Sequence, residues 1–260
     1  MVWRQKNVNV WRLIAITGLV VVWQTPGFGG SPCQSGNNFG AVDISYPVKP
    51  SFLQRSKSVG VTTIIRYYDW EIETLPGKTL SAHELSLIKK ANLSVAVIFQ
   101  HHNDSMETFE TPNRGAIDAK RSLDLAQKLG QPSNSTIYFG IDGVDDKFYS
   151  EYKKGQRGVG DKFGINLIKK YFQDVNNSFR QSFYKIGVYG SGLVCQEVLD
   201  ARLASFCWLA NATSWPNYSV FLKSDRWSLR QLLPTKDCFG EEVDLNIVSN
   251  NDGNFGQWKP

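Results

Sequence analysis

The sequence predicts a single α/β domain: a TIM-type β/α barrel of eight strands with about five outer helices. Three observations point to it. Short apolar runs recur, and most end in a polar or charged residue: Phe39–Ser45, Val61–Asp69, Ser94–Gln100, Thr136–Asp142, Tyr184–Ser191, Cys207–Asn211, Trp227–Gln231 and Val243–Val248. Buried parallel strands read this way because both faces are covered. Helix-like stretches separate the early runs, an alternation expected of α/β folds. Finally, 260 residues with 42% hydrophobic content suit one such domain.

The elements follow in order. A first helix starts near Pro50 and ends at Gly60. A second begins at Ser81, where Ser81 and Glu84 have capping-box spacing and Leu80 and Leu85 are placed as a hydrophobic staple. A third spans about Arg114 to Leu129, with Ala116, Ala119, Leu123 and Ala126 on one stripe and Gly130 and Pro132 as stops. A fourth spans about Asp161 to Asp174, with Leu167, Ile168, Tyr171 and Phe172 on one face, and a fifth lies near Leu193 to Ala204. The last two gaps between runs are short and broken by Pro216, Pro234 and Gly240. Neither easily holds a crossover helix. The directions of the last three strands therefore stay open. A short polar tail follows Val248.

The formal charge is +5, but three cations (Arg4, Lys6 and Arg12) precede the apolar run Leu13–Trp23 and a region of small residues. That layout is a signal peptide over residues 1–30, leaving a domain over 31–260. The apolar run is shorter than the ~20 residues of a spanning helix. Cleavage leaves 26 basic and 24 acidic residues, which argues against nucleic acid as a partner. The expectation is a secreted protein with no stable membrane insertion after cleavage. Its even cysteine count fits an oxidising compartment. Cys33 and Cys238 precede strands one and eight, which neighbour each other in a closed barrel. They pair if strand eight is parallel, and Cys195 and Cys207 pair by remainder. Asn92, Asn103, Asn134, Asn176, Asn211 and Asn217 head glycosylation sequons; Asn211 follows a core strand and is a poor acceptor. No metal-ligand spacing occurs, and no cofactor is expected.

Barrel enzymes work where strand carboxyl ends converge. Asp43 and Asp142 end strands one and four, Asp69 follows strand two, and Asp244 lies in the last run. Tyr67, Tyr68, Tyr138, Tyr189, Trp208, Trp215 and Trp227 lie near the strand ends, and aromatic faces with polar tips suit sugar rings. Paired carboxylates beside aromatic walls suit glycosidic-bond chemistry. The expected catalytic residues are Asp142 and Asp43. The expected substrate-binding residues are Arg66, Tyr68, Gln100, Tyr189, Trp208, Gln231 and Asp244. An Arg–Asp network tying strands together is the structural alternative. The loop from Gly143 to Gly160 is either a solvated charged loop or a flap beside Asp142.

Val42–Pro47, Ile65–Tyr68, Phe99–Gln100, Ile137–Asp142, Gly187–Ser191 and Trp208–Ala210 together resemble the secreted glycoside-hydrolase-like domain family known as domain of unknown function 1906. The resemblance covers about residues 38–250. That family is similar to the family 25 lysozymes, whose barrel has eight strands and few late helices. The resemblance implies a sugar-directed barrel with Asp43 and Asp142 at site positions. It also implies a Glu as principal acid at the position of Val144, which cannot transfer a proton. Two readings follow. One is a secreted glycoside hydrolase acting on an amino-sugar or cell-wall polysaccharide. The other is a catalytically inactive barrel that binds glycan or serves the cell surface.

Overall fold

A computed structural model describes residues 39–70, 75–142, 164–235, 239–250 and 253–260. They lie in the compact unit Ser31–Pro260. The segment expected as a signal peptide, the loop from Gly143 to Gly160 with Val144, and both Cys33 and Cys238 lie outside the described residues.

Eight strands close into a barrel in sequence order. They are β1 (Phe39–Asp43), β2 (Thr63–Tyr68), β3 (Ser94–Phe99), β4 (Thr136–Gly140), β5 (Lys185–Gly190), β6 (Phe206–Leu209), β7 (Leu229–Thr235) and β8 (Val243–Val248). Strands β1 to β7 run parallel. Strand β8 is antiparallel to both neighbours. Its connection from β7 is too short for the crossover that a parallel strand requires. The barrel is therefore mixed; the expected Cys33–Cys238 pair, framed for a parallel strand eight, falls outside the described residues.

Seven helices occur among the described residues: α1 (Pro50–Ser58), α2 (Ala82–Lys90), α3 (Met106–Glu110), α4 (Arg114–Lys128), α5 (Ile165–Phe179), α6 (Gly192–Asp200) and α7 (Tyr218–Leu222). The five longer ones are those the sequence suggests. The two short ones, α3 and α7, carry too few residues for a visible period. The β6–β7 gap does hold one short helix, contrary to expectation. At α2 the capping box forms in both directions between Ser81 and Glu84. Cys195 on α6 is bonded to Cys207 on β6, clipping that helix to its strand.

Strand residues alternate between two apolar environments. Ala41, Ile65, Ala96, Ile98, Tyr138, Trp208 and Leu229 fill the barrel interior. Val42, Ile64, Val97, Phe139 and Val188 meet the helix layer instead. The C-terminal segment closes the barrel floor rather than trailing as a polar tail. Phe255 joins the interior cluster, Tyr138 Oη donates to the Phe255 carbonyl at 2.8 Å, and Trp258 bridges Val95.

Candidate active site

The same alternation decides which polar residues reach the mouth. Asp43, Tyr67, Gln100, Asp142, Tyr189, Gln231, Asp244 and Asn246 continue the interior-facing rows of their strands to the carboxyl end or, on antiparallel β8, towards its start. Arg66 and Tyr68 belong to the opposite parity, so neither reaches the mouth, contrary to the expectation that they contact substrate. Arg66 is fully buried outside the barrel. Its guanidinium donates to both carboxylate oxygens of Glu84, at 2.5 and 3.3 Å, and to the carbonyls of Ile44 and Gly77. The network that ties strand to helix is thus Arg–Glu rather than Arg–Asp. Tyr68 is equally buried and donates to Gln131.

Trp208 faces inward but is only 1% exposed, because Tyr189 packs edge-on over it at 4.8 Å. A sugar ring cannot reach it. Its indole N–H donates to Asn246 Oδ1 at 2.7 Å, and Asn246 in turn donates to Asp43 Oδ2 at 2.7 Å. Trp208 therefore supports the site from below. Asp69 is fully buried and held by Lys78 at 2.6 Å and His101 at 2.7 Å, so it does not open into the mouth.

The remaining residues form one network. Asp43 and Asp244 lie directly opposite in the β1–β8 register. Tyr67 donates to Asp43 Oδ1 at 3.3 Å. Tyr189 donates to Gln231 Oε1 at 2.9 Å, and Gln231 Nε2 donates to Asp244 at 3.0 Å. Gln100 donates to Asp142. Lys78 bonds the Gln100 carbonyl at 2.8 Å and lies 5.2 Å from the centre of the Tyr67 ring. A cleft of about 130 Å³ opens beside Asp43, Tyr46, Tyr67, Glu242 and Asp244. The backbone N–H of Asn211 points to Gln231 at 3.5 Å, placing that sequon beside the mouth. Asn103 is buried with its amide donating to the Gly140 carbonyl, so the folded chain cannot accept a glycan there.

The electrostatics are those of crowded, desolvated acids. Burial, and then the charge of Asp104, pushes the Asp142 carboxyl up to about 7; Lys78 and the Gln100 bond pull the other way. Burial and Glu242 push Asp244 up to about 6. Asp43 is raised well above its ordinary range by burial and by the charge of Asp244. The Tyr189 hydroxyl is raised by burial and then by the fields of Asp142 and Asp43. Asn246 and Lys78 are site residues that the sequence reading does not name, and Tyr67 is named there only among the strand-end aromatics. Period-two alternation marks Tyr67 from Ile65 on β2 and Asn246 from Asp244 on β8; Lys78 sits in a loop and carries no such signal.

A family model described as Rv2525c-like, glycoside hydrolase-like domain matches residues 54–241. The chain belongs to this family. Two curated relatives from Bacillus subtilis (strain 168) are each 30% identical: the uncharacterised protein YbfG over 202 residues, and the uncharacterised protein FadG over 155. These alignments cover 74% and 57% of this chain, which spans only about a quarter of each relative's length, 26% and 24%. Among solved structures, the Tat-secreted protein Rv2525c of Mycobacterium tuberculosis in complex with HEPES shares the Rv2525c-like fold with a TM-score of 0.63 and 22% identity, over 84% of this chain and 98% of that one. The catalytic domain of endolysin ply40, from bacteriophage P40 of Listeria monocytogenes, matches at a TM-score of 0.51 and 15% identity, over 81% and 93%.

Proposed function

We propose that this domain is exported and hydrolyses a glycosidic bond of an amino-sugar or cell-wall polysaccharide, with Asp142 as general acid. One observation carries the reading: Asp142 sits in an acid-lined barrel mouth with its carboxyl raised to about 7, so it holds a proton near neutral pH. Gln100 fixes its orientation. Opposite charge demands complete the site. Asp43, the more deeply buried of the β1–β8 pair, keeps its proton, and Asp244 carries the negative charge that steadies positive charge on the sugar. A neighbouring N-acetyl group of the substrate serves in place of a protein nucleophile. The signal-peptide layout of residues 1–30 supports export, as does a fold shared with a Tat-secreted protein. Family membership supports sugar as the partner.

A glycan-binding barrel without catalysis is the second reading, favoured by Val144 at the position where the lysozyme resemblance implies Glu. Incubating the protein with peptidoglycan, chitin and β-glucan separates the two. New reducing ends from one polymer support hydrolysis. Retention on a polymer without new reducing ends supports binding alone, and neither response refutes both.

A further inference from the structure

A second cleft lies at the opposite end of the barrel from the acids. It opens where α5 runs into β5 and where α6 runs into β6, and its volume is about 210 Å³. Arg180, Lys185 and Arg202 line it, with Tyr184 and an apolar floor that includes Phe179 and Ile186. No acidic side chain lines it, and none of the three cations forms an ion pair among the described residues. Lys185 Nζ lies 5.6 Å from the centre of the Phe206 ring. Arg180 and Arg202 line the cleft without a counter-charge, which an anion would supply.

Arg202 adds a separate observation. Helices α1, α2, α4 and α6 all end alike: the residue after the C-cap is left-handed, and the next N–H bonds back to the helix, as in Val61 to Ser56, Leu93 to Ile88, Gln131 to Ala126 and Leu203 to Val198. The left-handed residues are Gly60, Asn92, Gly130 and Arg202, with φ of 96°, 56°, 65° and 56°. Glycine and asparagine suit that conformation, whereas arginine bears a backbone cost that glycine does not. Of these four ends, that of α6 is the one whose left-handed residue is neither glycine nor asparagine, and it brings a guanidinium to the cleft, as the end of α5 does with Arg180.

We propose that this cleft binds a phosphate group, with Arg180 and Arg202 as its cationic partners. The planar guanidinium forks match phosphate oxygens. The phosphate is borne either by a soluble chain or by a lipid headgroup. The test uses the mature chain and an Arg180→Ala/Arg202→Gly variant. Glycine suits the left-handed position, so folding survives there, and a melting temperature in buffer close to wild type verifies this. Polyphosphate titrated at constant ionic strength is expected to raise the wild-type melting temperature, since a ligand that binds only the folded state stabilises it. Apparent affinity is expected to fall at least about tenfold in the double variant, the loss of one or more charge-assisted contacts. If the melting temperature does not respond to polyphosphate but vesicles of phosphatidylglycerol, and not phosphatidylcholine, sediment the wild type more than the variant, the headgroup is the source. No response to either probe, or an equal response in both proteins, overturns the proposal. If the double variant does not fold, the single Arg202→Gly change takes its place, with the same outcomes.

Discussion

Burial lifts the Asp142 carboxyl well above the ordinary aspartate range, and stability then depends on pH. That carboxyl is raised from an ordinary 3.8 to about 7, and those of Asp244 and the buried Asp118 to about 6. An unfolded chain ionises these groups near pH 4, so from there to about pH 7 the folded chain holds more protons than the unfolded one. Stability from these groups is full below about pH 4 and is lost as pH rises through the folded values. Asparagine mimics the protonated acid. We expect Asp142→Asn to be more stable than wild type at pH 7.5, with a smaller drop in urea midpoint from pH 4.5 to 7.5. An equal drop in both proteins would show that burial does not hold the Asp142 proton. Arg66 gives the opposite case of a buried charge that is fully paired. Arg66→Met strands Glu84, so we expect a loss of about 3–5 kcal/mol in unfolding free energy. A loss below about 1 kcal/mol in urea denaturation would contradict that role. Asp43, Asp142, Gln100 and Asp244 were legible as site candidates because each ends or adjoins an apolar run. Arg66 and Tyr68 are not legible in this way, because nearness to a strand end does not by itself bring a side chain into the mouth. Parity settles the matter: Tyr67 lies on the interior face with Ile65, and its two neighbours lie on the other.

At the scale of elements, the eight strands and five longer helices were visible because long periodic patterns and caps such as Ser81–Glu84 are local signals. The direction of β8 was less so, since its sequence is a strand in either orientation and only the short loop before it discriminates. The closing segment was invisible. Its anchors are a backbone carbonyl that meets Tyr138 and a bridge to Val95, neither of which leaves a sequence pattern. Gly256 is the tightest point of that segment. It has φ of 79°, and a Cβ there would lie 1.8 Å from Thr136 Oγ1. We expect Gly256→Ala to cost about 1–3 kcal/mol or more, since a strained backbone and a clash act together. Thermal melting checks this, and an unchanged midpoint would mean that the segment does not close the barrel floor.

The whole molecule divides its labour between two ends. At the floor, Phe255 fills the interior and Trp258 packs against the helix-layer cluster beside Val95. At the mouth, antiparallel β8 brings Asp244 and Asn246 against Asp43, joining the last strand's polar residues to those of the first. A parallel strand eight entering from the floor would have offered its closing residues to the mouth instead. The mixed topology is therefore part of how the site is assembled. The most direct test of the site's chemistry is the pH dependence of kcat/KM for reducing-end release from the responsive polysaccharide, in wild type and Asp142→Asn. We expect the wild-type rate to fall above about pH 7 as the acid loses its proton, and the folded variant to lose about 10²–10⁴-fold in rate. Wild-type cleavage rates in folded Asp142→Asn, with the same alkaline limb, would contradict the assignment of Asp142 as the acid.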